Sequence, residues 1–277
     1  MTNGMKALLT TLTIGTIAGC TAAPSSGEDQ AALVQEVTPV SLLSATFGIA
    51  DFGGVGPCAS SAPVDGLPVV FSTTIAANSV SPSDFEVVRR DGSVATPQCA
   101  SFFPSVNADE ARTILLQGQF GRAGGDDPLS VRIVGDILTS DRTANFRGLT
   151  RSVVPYSVGQ HLVYARRQSV SSNVGGTDQC PPSASGKTVN QIVQLAFGSN
   201  AGTSFPNTTQ YFSRFSVKLA DGSIATPIAF GDVTVDNYLE LCLSAPSPAA
   251  SVSVATGTVT DASGQLNEVP LSVVLEN

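Results

Sequence analysis

Seven residues of this chain occur twice. DGSVATP runs from Asp91 to Pro97 and DGSIATP from Asp221 to Pro227, 130 residues later, with only Val94 and Ile224 exchanged. The match extends outward. Upstream, DFEVVRRDGS faces RFSVKLADGS, so that Phe85 meets Phe215 and Val87 meets Val217 at the same offset. LPVVFSTTI and NQIVQLAFG follow Cys58 and Cys180 at nearly equal spacing, and LLSATFG faces LVYARRQ more weakly. Downstream, TILLQGQF faces YLELCLSA, and LSVRIVGDILTSD faces ASVSVATGTVTDA with the offset shrunk to 121. Offsets that drift between blocks while block order is kept are what loop insertions and deletions leave behind. The 277 residues therefore read as two homologous modules, 40–150 and 151–277. Two copies make a tandem, because a solenoid needs more repeats to bury its faces.

Within each module the blocks alternate or run apolar for five to eight residues, then break at Gly, Pro, Asn or Asp. That is the pattern of about seven short strands. The 26 Gly and 17 Pro imply many turns, and charged residues, at 13%, are scarce for a globular chain. Asp-Gly at 91–92 and 221–222 lies between strand-like runs. FEVVRRDGSVAT and FSVKLADGSIAT are therefore predicted hairpins closed by two-residue type I′ turns, which put both central residues at positive φ. Pro97 and Pro227 then end the second strand or place it at an edge. In architecture the modules resemble bacterial immunoglobulin-like domains. The resemblance implies an all-β fold of two tandem immunoglobulin-like β-sandwich modules, although the core Trp of antibody domains is absent because the chain has none.

The chain opens MTNGMKALLTTLTIGTIAGCT. Lys6 supplies a short positive region, and the twelve residues from Ala7 to Ala18 form an apolar run. Such a run is too short to span a bilayer and of the right length for a signal peptide. Ile17-Ala18-Gly19-Cys20 resembles the lipobox of bacterial lipoproteins. The resemblance implies a signal peptide over 1–19, cleavage before Cys20, diacylglyceryl attachment to Cys20 and acylation of the new amine. Several acyl chains, at roughly 0.8 kcal/mol per buried methylene, make such an anchor effectively permanent. Thr21 stands where inner-membrane lipoproteins of Gram-negative cells commonly carry Asp, which favours the outer membrane. Residues 20–39 then form the lipidated start and a flexible tether. The predicted location is the bacterial cell envelope. The expected partners are the lipid bilayer, through acylated Cys20, and an envelope protein or surface ligand.

Four cysteines remain: Cys58, Cys99, Cys180 and Cys242. An even number in an exported chain suggests two disulfides, with three pairings open. The module division favours Cys58–Cys99 and Cys180–Cys242, each worth roughly 4 kcal/mol of loop entropy. No C-x-x-C occurs, so zinc binding and thiol redox chemistry are not expected.

Candidate chemistry is sparse. A net charge of -8 with scattered Lys and Arg excludes a nucleic-acid partner. A Ser-His-Asp hydrolase would have to use His161, the single histidine, and no G-x-S-x-G elbow is present. Ser185 to Thr188, SGKT, carries the tail of a phosphate-binding loop, but Pro181 stands where that motif needs Gly. Paired carboxylates could be drawn from Asp84, Glu86, Asp109, Glu110, Asp126, Asp127, Asp232, Asp236 and Glu240. Glycosidase chemistry is not expected of them, with 6% aromatics and no Trp to stack on a sugar. GGDDP at 124–128 and FGDVTVDN at 230–237 could help chelate calcium, although no D-x-D-x-D loop is present. No catalytic residue, metal site or cofactor is assigned. The expected role is non-catalytic binding or structural support on the envelope. The alternative is an envelope hydrolase, with His161 or a carboxylate pair lining a pocket near residues 150–165.

Overall fold

Phe85 and Val87 stand at alternate positions of one repeated block and Phe215 and Val217 at those of the other. All four are fully buried, which is the signature of strands with one face in a core. The computed structural model describes residues 39–47, 49–59, 62–122, 125–155, 158–170, 179–199, 208–233 and 236–276. The expected signal peptide, Cys20 and all but the last residue of the tether lie outside these residues.

The first half contains β1 (Leu42–Phe47), β2 (Ile49–Phe52), β3 (Val64–Phe71), β4 (Phe85–Arg89) and β5 (Val94–Ala95). It continues with β6 (Cys99–Ser101), β7 (Thr113–Gly118), β8 (Pro128–Ile133), β9 (Thr150–Ser152) and β10 (Val154–Pro155). The second half contains β11 (Leu162–Gln168), β12 (Ser183–Ala184), β13 (Lys187–Thr188), β14 (Gln191–Phe197) and the short helix α1 (Thr209–Phe212). It continues with β15 (Phe215–Leu219), β16 (Ile224–Ala225), β17 (Ala229–Gly231), β18 (Tyr238–Leu243), β19 (Ala249–Val254) and β20 (Leu271–Val274). No helix among the described residues is long and apolar enough to cross a membrane.

The two halves share one topology. The first has a sheet ordered β10-β1-β3-β7-β6, with β2 beside β3, and a second sheet ordered β5-β4-β8-β9. The second has sheets β11-β14-β18-β17 and β16-β15-β19-β20. Setting β2, β5 and β10 aside in the first half and β12, β13 and β16 in the second, the first, second, fifth and fourth strands share one sheet and the third, sixth and seventh the other. This is the order of an immunoglobulin sandwich. Each pair of sheets encloses its own core. Leu67, Val69, Ile114 and Leu116 face Phe85, Val87 and Val131 in the first, and Val193, Leu195, Leu239 and Leu241 face Phe215, Val217 and Val252 in the second.

Both predicted hairpins form, but their turns differ from the expectation. Gly92 and Gly222 have φ of 84° and 87°, whereas Asp91 and Asp221 are not among the positive-φ residues. The Gly92 N–H donates to the Arg89 carbonyl and the Arg89 N–H to the Ser93 carbonyl, with the same pattern at Gly222, Leu219 and Ser223. These are three-residue loops with a type I turn and a left-handed glycine. The side chain decides between the two turns: Asp91 Oδ1 accepts the Ser93 N–H at 2.8 Å, and Asp221 Oδ1 the Ser223 N–H at 2.9 Å. Ser185 to Thr188 forms the turn and second strand of the β12–β13 hairpin and opens no phosphate-binding helix.

The disulfides are Cys58–Cys99 and Cys180–Cys242, each with a Cα–Cα distance of 5.7 Å. Cys99 of β6 lies opposite Gln117 of β7, and in the second half the matching rung is Ala229 opposite Cys242. The two bridges therefore land on neighbouring strands at one equivalent rung. They pin the connection before β3 or β14 to the outside of a sheet, where antibody domains bridge across the core.

Candidate functional site

A strand on the outside of a sandwich should expose every second side chain. Here β3, β7 and β18 are buried at every residue, and β14 at all but its first. Their second faces are covered because the two halves pack on each other through these sheets. Ile114 and Leu116 point into the first core, which turns Thr113 outward; Leu239 and Leu241 fill the second core, which turns Tyr238 and Glu240 outward. Thr113 Oγ1 lies 2.7 Å from the Tyr238 hydroxyl, which also donates to the Glu110 carbonyl at 3.2 Å. Asn237 Nδ2 donates to Thr113 Oγ1 at 3.2 Å, and Ser105 Oγ donates to Asn237 Oδ1 at 2.8 Å. The Arg112 guanidinium stacks 3.9 Å above the Tyr164 ring. The seam is polar and buried.

Its most unusual feature is a group of acids. Asp109 and Glu110 end the β6–β7 connection, while Asp232 and Asp236 lie in the β17–β18 connection. Oxygens of Glu110, Asp232 and Asp236, all buried, lie within 4.8 Å of one another. The Glu110 carboxyl accepts the Asn107 N–H at 3.2 Å and Asn107 Nδ2 at 2.8 Å, and Asp236 Oδ1 accepts the Tyr238 N–H at 2.7 Å. Glu240 of β18 stands outside this group; Asp232 and Asp109 are the acids that act on it, and the Cys180 N–H bonds its carboxylate. Its Oε2 is buried. It rests against Gly231, where a Cβ would come within 2.6 Å of it. Asp109 is neutralised on the other side by Arg166 at 3.5 Å, with Gln194 Nε2 at 2.8 Å and Gln168 donating to the same oxygen.

Burial, a hydrogen bond to Asp232 and the charges of Asp232 and Asp236 push the Glu110 carboxyl up to about 9. Burial and the charges of Asp232 and Asp109 push Glu240 up to about 8. Tyr238 is raised, chiefly by burial.

His161 is also spent on the seam. Its Nε2 lies 2.9 Å from Ser44 Oγ of β1. This is nucleophile–base spacing, but Ser44 is only 1% exposed and also lies 3.2 Å from Thr46 Oγ1. Among the described residues no carboxylate takes the place a triad needs beside Nδ1, and the ring's other bond is to the Gly159 backbone. Burial lowers the imidazole pKa.

The remaining candidate acids are dispersed. Asp127 forms a two-pronged pair with Arg90 at 2.8 Å, Asp126 accepts the Arg122 N–H, Glu86 pairs with Arg132 and Asp84 accepts the Ser81 N–H. Among the described residues the acids of GGDDP and FGDVTVDN do not come together. A recess of about 360 Å³ lined by Arg167, Gln168, Asn190 to Ile192 and Ala245 to Pro248 contains no acid, histidine or thiol.

The sequence pointed to Asp232 and Asp236 through the stretch FGDVTVDN and to Glu110 only as a member of a longer set of carboxylates. Their convergence, with Glu110 brought in from another loop, is what it missed. The available signal was polar residues on the non-core register of strands whose neighbours are all apolar: Thr113, Gln194, Tyr238 and Glu240. No protein-family model matches the chain, and no curated protein is detectably similar to it.

Proposed function

We propose that this chain is a lipid-anchored protein of the bacterial cell envelope with a non-catalytic binding or structural role, its two sandwiches joined into one block beyond the tether. The observation that carries the role is where the reactive side chains go. His161 and the buried acids join one sandwich to the other, and the open recess holds no acid, base or nucleophilic thiol. Two disulfides fit an oxidising compartment outside the cytoplasm. The lipobox-like stretch ending at Cys20 supports the anchor. Intact mass of membrane-extracted protein, with and without reduction and alkylation, tests it. The expected mass starts at Cys20, carries acyl chains and shows no free thiol; Cys20→Ser should release the protein from the membrane. An unacylated chain with free thiols overturns the reading.

The Ser44–His161 contact favours one alternative, an envelope hydrolase. A fluorophosphonate probe decides it. Labelling that is lost in Ser44→Ala would establish a reactive serine, and absence of labelling leaves the pair as a seam contact.

A further inference from the structure

We propose that the Ser44–His161 contact is an acid-sensitive latch across the seam: the neutral ring takes the Ser44 hydroxyl proton, and protonation of Nε2 reverses that bond and loosens the hold between the sandwiches. His161 stands just before β11 of the second sandwich, and Ser44 lies within β1 of the first. Nε2 and Ser44 Oγ are 2.9 Å apart. The ring's other bond, to the Gly159 backbone, favours the protonated ring, as a carbonyl acceptor does. Nδ1 therefore carries the proton of the neutral ring, and Nε2 is left as an acceptor. Ser44 donates to it, which leaves Ser44 Oγ to accept from Thr46 Oγ1, 3.2 Å away. The bonds run one way, from the Thr46 hydroxyl through Ser44 and the ring to Gly159.

A second proton on the ring breaks this order. Nε2–H has to donate to Ser44 Oγ, Ser44 turns its own proton to Thr46 Oγ1, and the Thr46 hydroxyl then needs a new acceptor. Ser44 is 1% exposed and Thr46 4%, so water is not at hand to supply one. A buried donor without an acceptor costs folding free energy. Nor does a neighbouring charge offset the imidazolium. Among the described residues Arg151 of β9 is the one charged group that acts on the ring, and its sign is wrong. The other groups around the ring are neutral: Ser44 and Thr46 of β1, Gly159 and Gln160 before β11, and Gly198 after β14. The ring is also hemmed in. A Cβ on Gly198 would lie 2.1 Å from it, and the Gly198 N–H donates to the His161 carbonyl at 2.9 Å. Swinging the ring out to water therefore means moving the end of a core strand.

His161 is the single histidine, so an NMR titration of the full chain, extracted in detergent and isotope-labelled at histidine and the backbone, reads this ring directly. The expected result is the Nδ1–H tautomer and a midpoint below 6.5, with amide shifts that follow it at Ser44 and Thr46 as well as at Gly198. Ser44→Ala removes the donor to the neutral ring and should raise the midpoint. Because the ring's pKa is lowered in the fold, the unfolded chain takes the proton first. The latch therefore contributes fully above about 6.5, and its contribution is lost as pH falls below that value. The urea midpoint should fall between about pH 7 and about pH 5 by more than that of His161→Gln, whose amide does not titrate. An Nε2–H tautomer, a midpoint at or above 6.5, or an unchanged midpoint in Ser44→Ala would overturn the proposal. Amide shifts confined to the second sandwich, or an equal fall in a folded His161→Gln protein, would overturn it too.

Discussion

Tyr238→Phe isolates the bond that joins the sandwiches. The ring is fully buried, so phenylalanine fills the same space and only the hydroxyl is lost. That hydroxyl bonds Thr113 Oγ1 at 2.7 Å and the Glu110 carbonyl at 3.2 Å, both from the other half. Thr113 keeps the Asn237 Nδ2 donor at 3.2 Å and the Glu110 carbonyl keeps the Arg112 N–H, but the Thr113 hydroxyl proton loses its acceptor. Leaving one buried polar group unsatisfied costs about 1–3 kcal/mol. For a unit of this size each kcal/mol moves Tm by about 2–4 °C, so a fall of roughly 2–12 °C is expected. Thr113→Val removes the facing partner. The two substitutions together should cost less than their sum, with a coupling of about 1 kcal/mol in a double-mutant cycle. Urea unfolding of all four proteins measures it. Additivity within ~0.3 kcal/mol, or a Tyr238→Phe cost below ~0.5 kcal/mol, would refute the claim that this pair carries energy across the seam.

Two further outcomes follow from the same contacts. Glu110 at about 9 and Glu240 at about 8 hold protons in the fold that the unfolded chain releases near 4.5. Their stabilising effect is complete below about 4.5 and is lost as pH rises through 8–9. The urea midpoint of the protein should therefore fall between pH 5 and pH 9 by more than that of Glu110→Gln; equal slopes in the two would refute the assignment. Gly198→Ala places a Cβ inside van der Waals contact of the His161 ring and should destabilise by about 1–3 kcal/mol through overpacking, against a smaller loss for Ser44→Ala. Thermal melts of the two variants would show the reverse order if His161 had room to move.

The sandwich architecture was legible because its determinants are local. Alternating apolar residues mark the strands, Asp-Gly marks the hairpins, and the duplicated blocks divide the cysteines into the pairs that form. The turn type was misread because Asp-Gly satisfies two geometries. The choice falls to the Asp91 and Asp221 carboxylates, which capture the N–H of the serine two residues on. The seam was hidden for a different reason. Tyr238, Glu240, Thr113 and Gln194 occupy the register that an isolated sandwich turns to water, so their polarity reads as ordinary surface. Only packing of the second sheet shows that they are buried. Glu110 and Asp232 come from separate loops, and no periodicity reports a meeting between loops.

The way the halves meet bears on why the buried acids are there. Like meets like across the seam: Thr113 at the start of β7 touches Tyr238 at the start of β18, and Leu43 of β1 and Val163 of β11 pack against one cluster of Tyr164, Ala196 and Tyr238. Corresponding elements in mutual contact are the mark of an isologous interface, the kind that two identical subunits form. A duplicated module that first paired with its own copy would give this arrangement once the copies were fused. At an exact two-fold the facing positions carry identical side chains, so acids near the axis would face acids. After fusion each half can change alone. Leu115 of β7 corresponds to Glu240 of β18, and Gln117 to Cys242, so the two faces are no longer the same. The acidic group draws Glu110 from one copy and Asp232 and Asp236 from the other. Neither half alone contains it. A buried charge that costs stability in isolation survives where a partner ion or proton offsets it, and here that offset requires the two sandwiches together.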